Sequence, residues 1–146
     1  MPLKRRLKVA LYISSILVFL ILCTTVVFAD GSVNIDRYTI FAEIGEDGSM
    51  NVEEIITYNF KGSFNGARRE LDFTGASDIQ NLNLYLSTQI APDDLANVDL
   101  KEFQIVDEAS VGDSGVVTVE EQNNQKNISI YSPSQDDRKT FVIRYA

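Results

Sequence analysis

From residue 33 onward, apolar and polar side chains alternate with a period of two, and this pattern constrains the fold more than any other feature. It is clearest at 38–44, where every second residue is apolar, as in a half-buried strand. No stretch after Ala29 has the spacing of a long amphipathic helix. Because two half-apolar sheets must cover each other, we predict an all-β domain, an antiparallel β-sandwich of the immunoglobulin-like type.

The first two strands form the clearest predicted unit, a hairpin. Strand 38–44 is followed by Gly45–Ser49, whose Asp-Gly pair supplies the positive φ angles of a tight turn. The chain then resumes as strand 50–60, with apolar residues at the even positions. Glu54 falls on this apolar face, so it needs either a partner or an edge position.

The remainder of the chain predicts shorter strands separated by turns. Residues 61–66 contain two glycines and predict a loop, and a helical turn is an alternative around Leu95. The last residues still have strand character, from which we expect the domain to be truncated at its C-terminus. Further strands are predicted at 67–73, 82–87, 103–106, 116–119, 128–131 and 140–145.

The N-terminal segment has the order of an export signal. Four basic residues precede Val9–Phe28, a stretch without a charged side chain, and Ala29 ends it in a manner typical of a cleavage site. We interpret residues 1–29 as a signal peptide, or alternatively a signal anchor, and residues 30–146 as an extracytoplasmic domain. Either form exports everything after Ala29.

Composition disfavours several classes of function. All 21 acidic residues lie from Asp30 onward with nine basic ones, a net charge of −12 that disfavours nucleic acid as a partner. This portion has no histidine and no cysteine, which disfavours Ser-His-Asp and Cys-His catalysis and ordinary zinc sites. Phosphate-binding glycine motifs are also missing. We therefore expect no catalytic residue, cofactor or metal.

Two alternatives rest on the acidic residues. Paired carboxylates such as Asp93-Asp94 could serve a secreted carbohydrate-active enzyme, although adjacent strand residues point to opposite faces. The turn Glu46–Ser49 offers oxygen ligands for a calcium-stabilised adhesion module, although EF-hand spacing is not met.

One short segment is a candidate binding site. Arg68 and Arg69 are consecutive in a domain poor in positive charge, and Glu70 follows them. The arginines could bind a carboxylate or phosphate group through paired hydrogen bonds. Alternatively, one of them forms a structural ion pair with Glu70, Glu54 or another nearby acid.

Several segments, taken in order, resemble a known bacterial family. They are 35–38 (IDRY), 46–55 (EDGSMNVEEI), 58–60 (YNF), 64–71 (FNGARREL) and, later, the tyrosine-ended strand 140–145. The chain is similar to the N-terminal region of the YciQ-like predicted membrane proteins, the domain-of-unknown-function family numbered 2207. The resemblance implies a signal sequence, an extracytoplasmic β domain and later transmembrane helices, and it implies no particular activity.

From these observations we expect a non-enzymatic extracytoplasmic domain of a bacterial membrane protein that acts as a binding or assembly module. Its partner would be a protein or another component of the cell envelope. Contact with the membrane would come through the N-terminal segment or through helices downstream of residue 146.

Overall fold

The structure, a computed structural model, describes residues 31–146 and contains nine strands and no helix in that range. The predicted signal or anchor segment lies outside the described residues, and no helix able to cross a bilayer occurs within them. Around Leu95 the chain forms a single hydrogen-bonded turn, in which the Val98 amide donates to the Leu95 carbonyl at 3.3 Å, and no longer helix. The strands are β1 (Ser32–Ile44), β2 (Met50–Lys61), β3 (Ser63–Asp72), β4 (Asn83–Ser87), β5 (Leu100–Glu102), β6 (Gln104–Ile105), β7 (Val116–Gln122), β8 (Gln125–Gln135) and β9 (Arg138–Tyr145).

The strands form two sheets. The first, sheet A, has the order β1-β2-β9-β4-β5 and is antiparallel throughout. The second, sheet B, has the order β3-β8-β7-β6, and its β6 runs parallel to β7. The prediction of an all-β domain is confirmed, whereas a purely antiparallel arrangement is wrong for β6.

A common apolar core lies between the sheets. Strands β2, β4 and β9 contribute from sheet A, and β3, β7 and β8 contribute from sheet B. Aromatic rings meet near its centre, where Phe141 contacts Tyr58 and Phe103 at centroid distances of 5.8 and 6.0 Å. The buried core residues are Ile56, Tyr58, Phe60, Leu71, Phe73, Ile79, Leu84, Phe103, Val117, Ile128, Ile130, Phe141 and Ile143.

The predicted hairpin is confirmed, but the predicted burial of its first strand is wrong. β1 pairs with β2 from Ser32 to Ile44, with the turn at the expected residues. Yet β1 contributes no residue to the core, and most of its side chains are exposed. The strand lies at the edge of sheet A beyond β2, and none of the four strands of sheet B pairs with it. The alternating pattern therefore predicted that β1 is a strand, but it did not predict that most of its side chains are exposed.

Two other local predictions differ from the structure for backbone reasons. The predicted loop 61–66 is almost entirely strand, since Gly62 alone separates β2 from β3 and turns the chain with a φ of 95°. The single predicted strand 103–106 is instead divided at Phe103. The Phe103 amide donates to Leu84 of sheet A, and the next amide, of Gln104, donates to Gly115 beside sheet B. The chain thus crosses between the sheets at this buried ring.

The outer face of sheet A is partly covered by the loop 88–99. Thr57 and Thr140 lie opposite each other on β2 and β9, and their hydroxyl oxygens are 2.9 Å apart. The loop's Ala91 amide donates to the Thr140 hydroxyl, while its carbonyl accepts from Arg37 of β1. The loop covers part of the outer face of sheet A, so residues on both faces of β2 are buried. Its hydrogen bond to Thr140 satisfies a polar group that is buried there.

Candidate functional site

An ion pair joins the two sheets near the hairpin. Glu54 lies on the inner face of β2 and is 1% exposed. Arg69 of β3 reaches it from sheet B with two parallel hydrogen bonds, from Nε to Oε2 at 2.8 Å and from Nη2 to Oε1 at 2.9 Å. This geometry gives the charged hydrogen bonds that a buried carboxylate requires.

Two tyrosines complete this group. The Tyr145 hydroxyl at the end of β9 donates to Glu54 Oε1 at 2.9 Å. The Tyr38 hydroxyl on β1 accepts from Arg69 Nη2 at 2.9 Å, and the guanidinium lies 5.7 Å from the centre of the Tyr38 ring. We refer to Glu54, Arg69, Tyr38 and Tyr145 as the Glu54 cluster. Its members come from four strands, so it ties β1, β2 and β9 to β3.

The protonation states of the cluster are fixed by these contacts. Burial by itself raises the pKa of Glu54, but the hydrogen bonds and charge of Arg69, with the hydrogen bond from Tyr145, hold it below its ordinary value. Burial and the hydrogen bond to Glu54 raise the pKa of Tyr145. The hydrogen bond to Glu54 raises the pKa of Arg69. Near neutral pH the cluster thus holds fixed charges, whereas acid–base catalysis needs a pKa near the working pH.

The structure separates the three residues that the sequence singled out. Arg69 faces inward and pairs with Glu54, one of the acids considered for it. Arg68 and Glu70 are exposed, and Arg68 has no ion pair within residues 31–146. Glu70 takes part through its backbone carbonyl, which accepts from Arg69 Nη1 at 2.7 Å. Strand alternation explains this division, since neighbouring residues point to opposite faces.

The other acidic candidates serve local structure. Asp47 in the hairpin turn accepts from the Ser49 amide at 3.0 Å and the Ser49 hydroxyl at 2.7 Å, and these bonds lower its pKa. Asp93 forms an ion pair with Arg37 at 2.8 Å. Across residues 31–146, no group of three or more potential His, Cys, Asp or Glu ligands is close enough to hold a metal ion.

The paired acids Glu53 and Glu54 point to opposite faces, as strand geometry predicts. Glu53 accepts from Arg144 Nε at 2.7 Å on the outer face of sheet A. This ion pair lies in an open groove of about 440 Å³, where Phe41 and Tyr145 also contribute walls. The two carboxylates therefore cannot act on one bound group.

The second candidate site is the exposed side of β1. Of the ten large apolar side chains that are exposed among the described residues, six lie on this strand. We refer to these six as the β1 edge. They are Val33 (40% exposed), Ile35 (57%), Tyr38 (43%), Ile40 (52%), Phe41 (50%) and Ile44 (76%). By the register with β2, five of the six share the inner face of sheet A and Phe41 lies on its outer face. Exposed apolar side chains concentrated on one strand are typical of a surface that contacts a partner.

The β1 edge also differs from the other strand edges. β5 and β6, which end the two sheets, have three and two residues. β3, the remaining edge strand, carries Arg68 and Glu70 on its exposed face. β1 has 13 residues with neither lysine nor proline, the residues that usually protect an edge from pairing. Its one interruption is a bulge at Asp36.

Comparison with known proteins gives one family. Residues 34–146 match the family model described as predicted membrane protein (DUF2207), N-terminal domain. No curated protein and no solved structure is found to match the chain.

Proposed function

The chain belongs to the DUF2207 family of predicted membrane proteins, and from this premise we propose that residues 30–146 form a non-enzymatic domain outside a bacterial membrane, where they present a binding or assembly surface. The family supports the association with a membrane. The side of the membrane and the binding role are the proposed part.

The sequence of the first 29 residues supports the outer location. Lys4, Arg5, Arg6 and Lys8 precede the uncharged stretch Val9–Phe28. Basic residues before an apolar segment stay on the cytoplasmic side, so the chain that follows is exported. This holds for a cleaved signal peptide and for a retained signal anchor.

The β1 edge is the observation that carries the binding role. Six exposed apolar side chains on one long strand, whose outer edge pairs with no other described strand, are costly to leave in water, at roughly 25 cal/mol for each Å². A free strand edge also offers backbone donors and acceptors to an added strand. These features favour recognition through strand addition.

The ionisable groups support a non-enzymatic role. The buried carboxylate of Glu54 is saturated by Arg69 and Tyr145, and Glu53 is bound to Arg144. The pKa of Glu54 is lowered, whereas a catalytic acid requires a raised one. The finer assignment to the immunoglobulin-like sandwich type belongs to the same proposal, with β6 as its departure from all-antiparallel pairing.

Photo-crosslinking in the native membrane tests the binding role. A photoreactive amino acid at position 40, on the β1 edge, is expected to give a light-dependent adduct. The control is position 111, since Val111 is 89% exposed in the loop before β7. Adducts of equal yield at both positions, or none at position 40, would contradict a binding surface on β1.

A further inference from the structure

The regular part of β1 is nearly symmetric in its chemistry about Ile40. After the bulge at Asp36, an unbroken register with β2 runs from Arg37 to Ile44. Ile40 lies midway between Arg37 and Glu43, which are the only charged residues in this stretch. A strand with a cation and an anion at equal distances from its centre is complementary to an antiparallel copy of itself.

From this symmetry, and resting on the proposed function, we infer that the partner of the β1 edge is a second copy of the chain. The two β1 strands pair antiparallel with Ile40 opposite Ile40. Sheet A of each copy then continues into sheet A of the other across a twofold axis perpendicular to the sheets. Such an isologous contact closes on itself, as most homodimers do.

The register follows from two requirements. A twofold axis perpendicular to the sheet keeps both inner faces on one side, so residues of like face must lie opposite each other. Opposite charges must also meet. Pairing about Ile40 places Arg37 opposite Glu43, Thr39 opposite Phe41, and Tyr38 opposite Ala42. Pairing about residue 39 or 41 leaves Glu43 opposite an uncharged side chain.

Arg37 can accommodate this additional carboxylate. In the single chain, its Nη1 donates to Asp93 Oδ1 at 2.8 Å and to the Ala91 carbonyl at 3.1 Å. Within residues 31–146 its Nε and Nη2 make no hydrogen bond, and the side chain is 36% exposed. A guanidinium has five N–H donors, so Glu43 of the second copy can bind without breaking either contact.

The net charge of the domain does not prevent this contact. The 12 excess negative charges are spread over the whole domain, and at physiological ionic strength charges more than about 8 Å apart are largely screened. Arg37 and Glu43 carry opposite charges within the regular stretch that would pair, and Asp93, which already binds Arg37, leaves one excess negative charge at each end of the contact. Because the repulsion between the copies is screened, the apolar and backbone contacts of β1 dominate the local interaction.

Disulfide trapping in membranes that contain the full-length chain tests the partner and its register. In a Cys23→Ser background, Ile40→Cys places two thiols opposite each other, with Cα atoms about 4.5–5.5 Å apart. That spacing permits a disulfide. Ile44→Cys is the matched control, because Ile44 lies on the same face of the same strand and is more exposed, at 76%. Its two copies would be eight positions apart, about 27 Å.

A second cysteine variant tests the other kind of residue pair in the antiparallel ladder. Opposed residues alternate between hydrogen-bonded pairs, with Cα atoms about 5.5 Å apart, and non-hydrogen-bonded pairs, with Cα atoms about 4.5 Å apart, and disulfide yield depends on which kind of pair the two cysteines form. Thr39→Cys with Phe41→Cys samples the site type that Ile40→Cys does not. Phe41 is 50% exposed and Thr39 is partly buried, both on the edge strand, so folding should be retained, as checked by circular dichroism of the purified protein.

The expected result is a covalent dimer from at least one of these two variants, with a yield about tenfold or more above that of Ile44→Cys. Equal yields at positions 40 and 44, or no dimer from either test variant, would overturn the inference. A light-dependent adduct at position 40 to a different protein, with no disulfide dimer, would overturn the second copy as partner while leaving the proposed binding role intact.

Discussion

At the scale of single residues, the Glu54 cluster is the feature on which the stability of the domain depends most. Removing one partner of a buried ion pair leaves the other charge buried and unsatisfied. Arg69→Ala is therefore expected to lower the free energy of unfolding by about 3 kcal/mol, the low end of the usual range, because the Arg69 side chain is 29% exposed. Denaturant titration of the purified protein measures this change.

The neighbouring arginine provides the control. Arg68→Ala also removes an arginine side chain, but Arg68 is exposed and forms no ion pair among the described residues. This substitution should change the free energy of unfolding by less than about 0.5 kcal/mol. Equal stabilities for the Arg69→Ala variant and the parent would show that the ion pair does not stabilise the fold.

The acid limb of the stability curve gives a second readout of the same pair. The pKa of Glu54 is lowered in the folded chain, so its contribution is complete above its ordinary value of 4.5 and is lost as pH falls through the folded value. The stability difference between the parent and Glu54→Gln should therefore shrink as pH is lowered from about 6 to about 3. A difference that stays constant over this range would contradict a lowered pKa.

The sequence predicted part of this cluster. Glu54 was recognisable as an acid on an apolar face, and Arg69 as one of two arginines able to pair with it. The sequence could not choose between Arg68 and Arg69, because the choice depends on which face of β3 meets sheet A. Tyr38 and Tyr145 were missed for a similar reason. Their hydroxyls reach Glu54 and Arg69 across strands that are 31 to 91 residues apart in the chain.

At the scale of strands, close packing at one glycine fixes how β3 approaches β8. Gly66 has a φ of 150°, and a Cβ atom there would lie 1.8 Å from the Ile130 carbonyl oxygen. It sits where β8 carries one extra residue relative to β3, near Pro133. Proline is tolerated at such a bulge, since no ladder hydrogen bond is needed from its nitrogen.

Gly66→Ala is consequently expected to destabilise the domain by about 4 kcal/mol or more, because the backbone of β8 must move to admit a methyl group. Gly75→Ala is the matched control, since Gly75 also has a positive φ, of 93°, but open space around it. It should cost about 1–2 kcal/mol, the strain of that conformation alone. Similar losses for the two variants, measured by denaturant titration, would contradict the close approach.

Prediction at this scale worked where the signal was local. The hairpin of β1 and β2 was found because alternation and an Asp-Gly turn are both written in consecutive residues. The strand in 61–66 was missed because Gly66 looks like a loop residue until β8 lies against it. The division at Phe103 was missed because nothing in 103–106 indicates that two adjacent amides bond to different sheets.

At the scale of the whole molecule, the described residues combine an acidic surface, a core shared by two sheets and one unprotected apolar edge. Net charge supports solubility and explains neither the fold nor the partner. The exposure of β1 was not predictable from its sequence, because an alternating strand looks the same whether or not a second layer covers it. Only the folded structure shows that β1 adds no residue to the core and that most of its side chains stay exposed.

The location of the domain is the claim on which the proposed function rests, and cysteine labelling tests it directly. Cys23 is the only cysteine in residues 1–146. A variant with both Cys23→Ser and Val111→Cys therefore carries a single thiol in these residues, at a position that is 89% exposed. In its native host, with any other cysteines of the protein replaced, a membrane-impermeant maleimide should label intact cells as fully as permeabilised ones. Labelling that requires permeabilisation would place the domain in the cytoplasm and contradict the proposal.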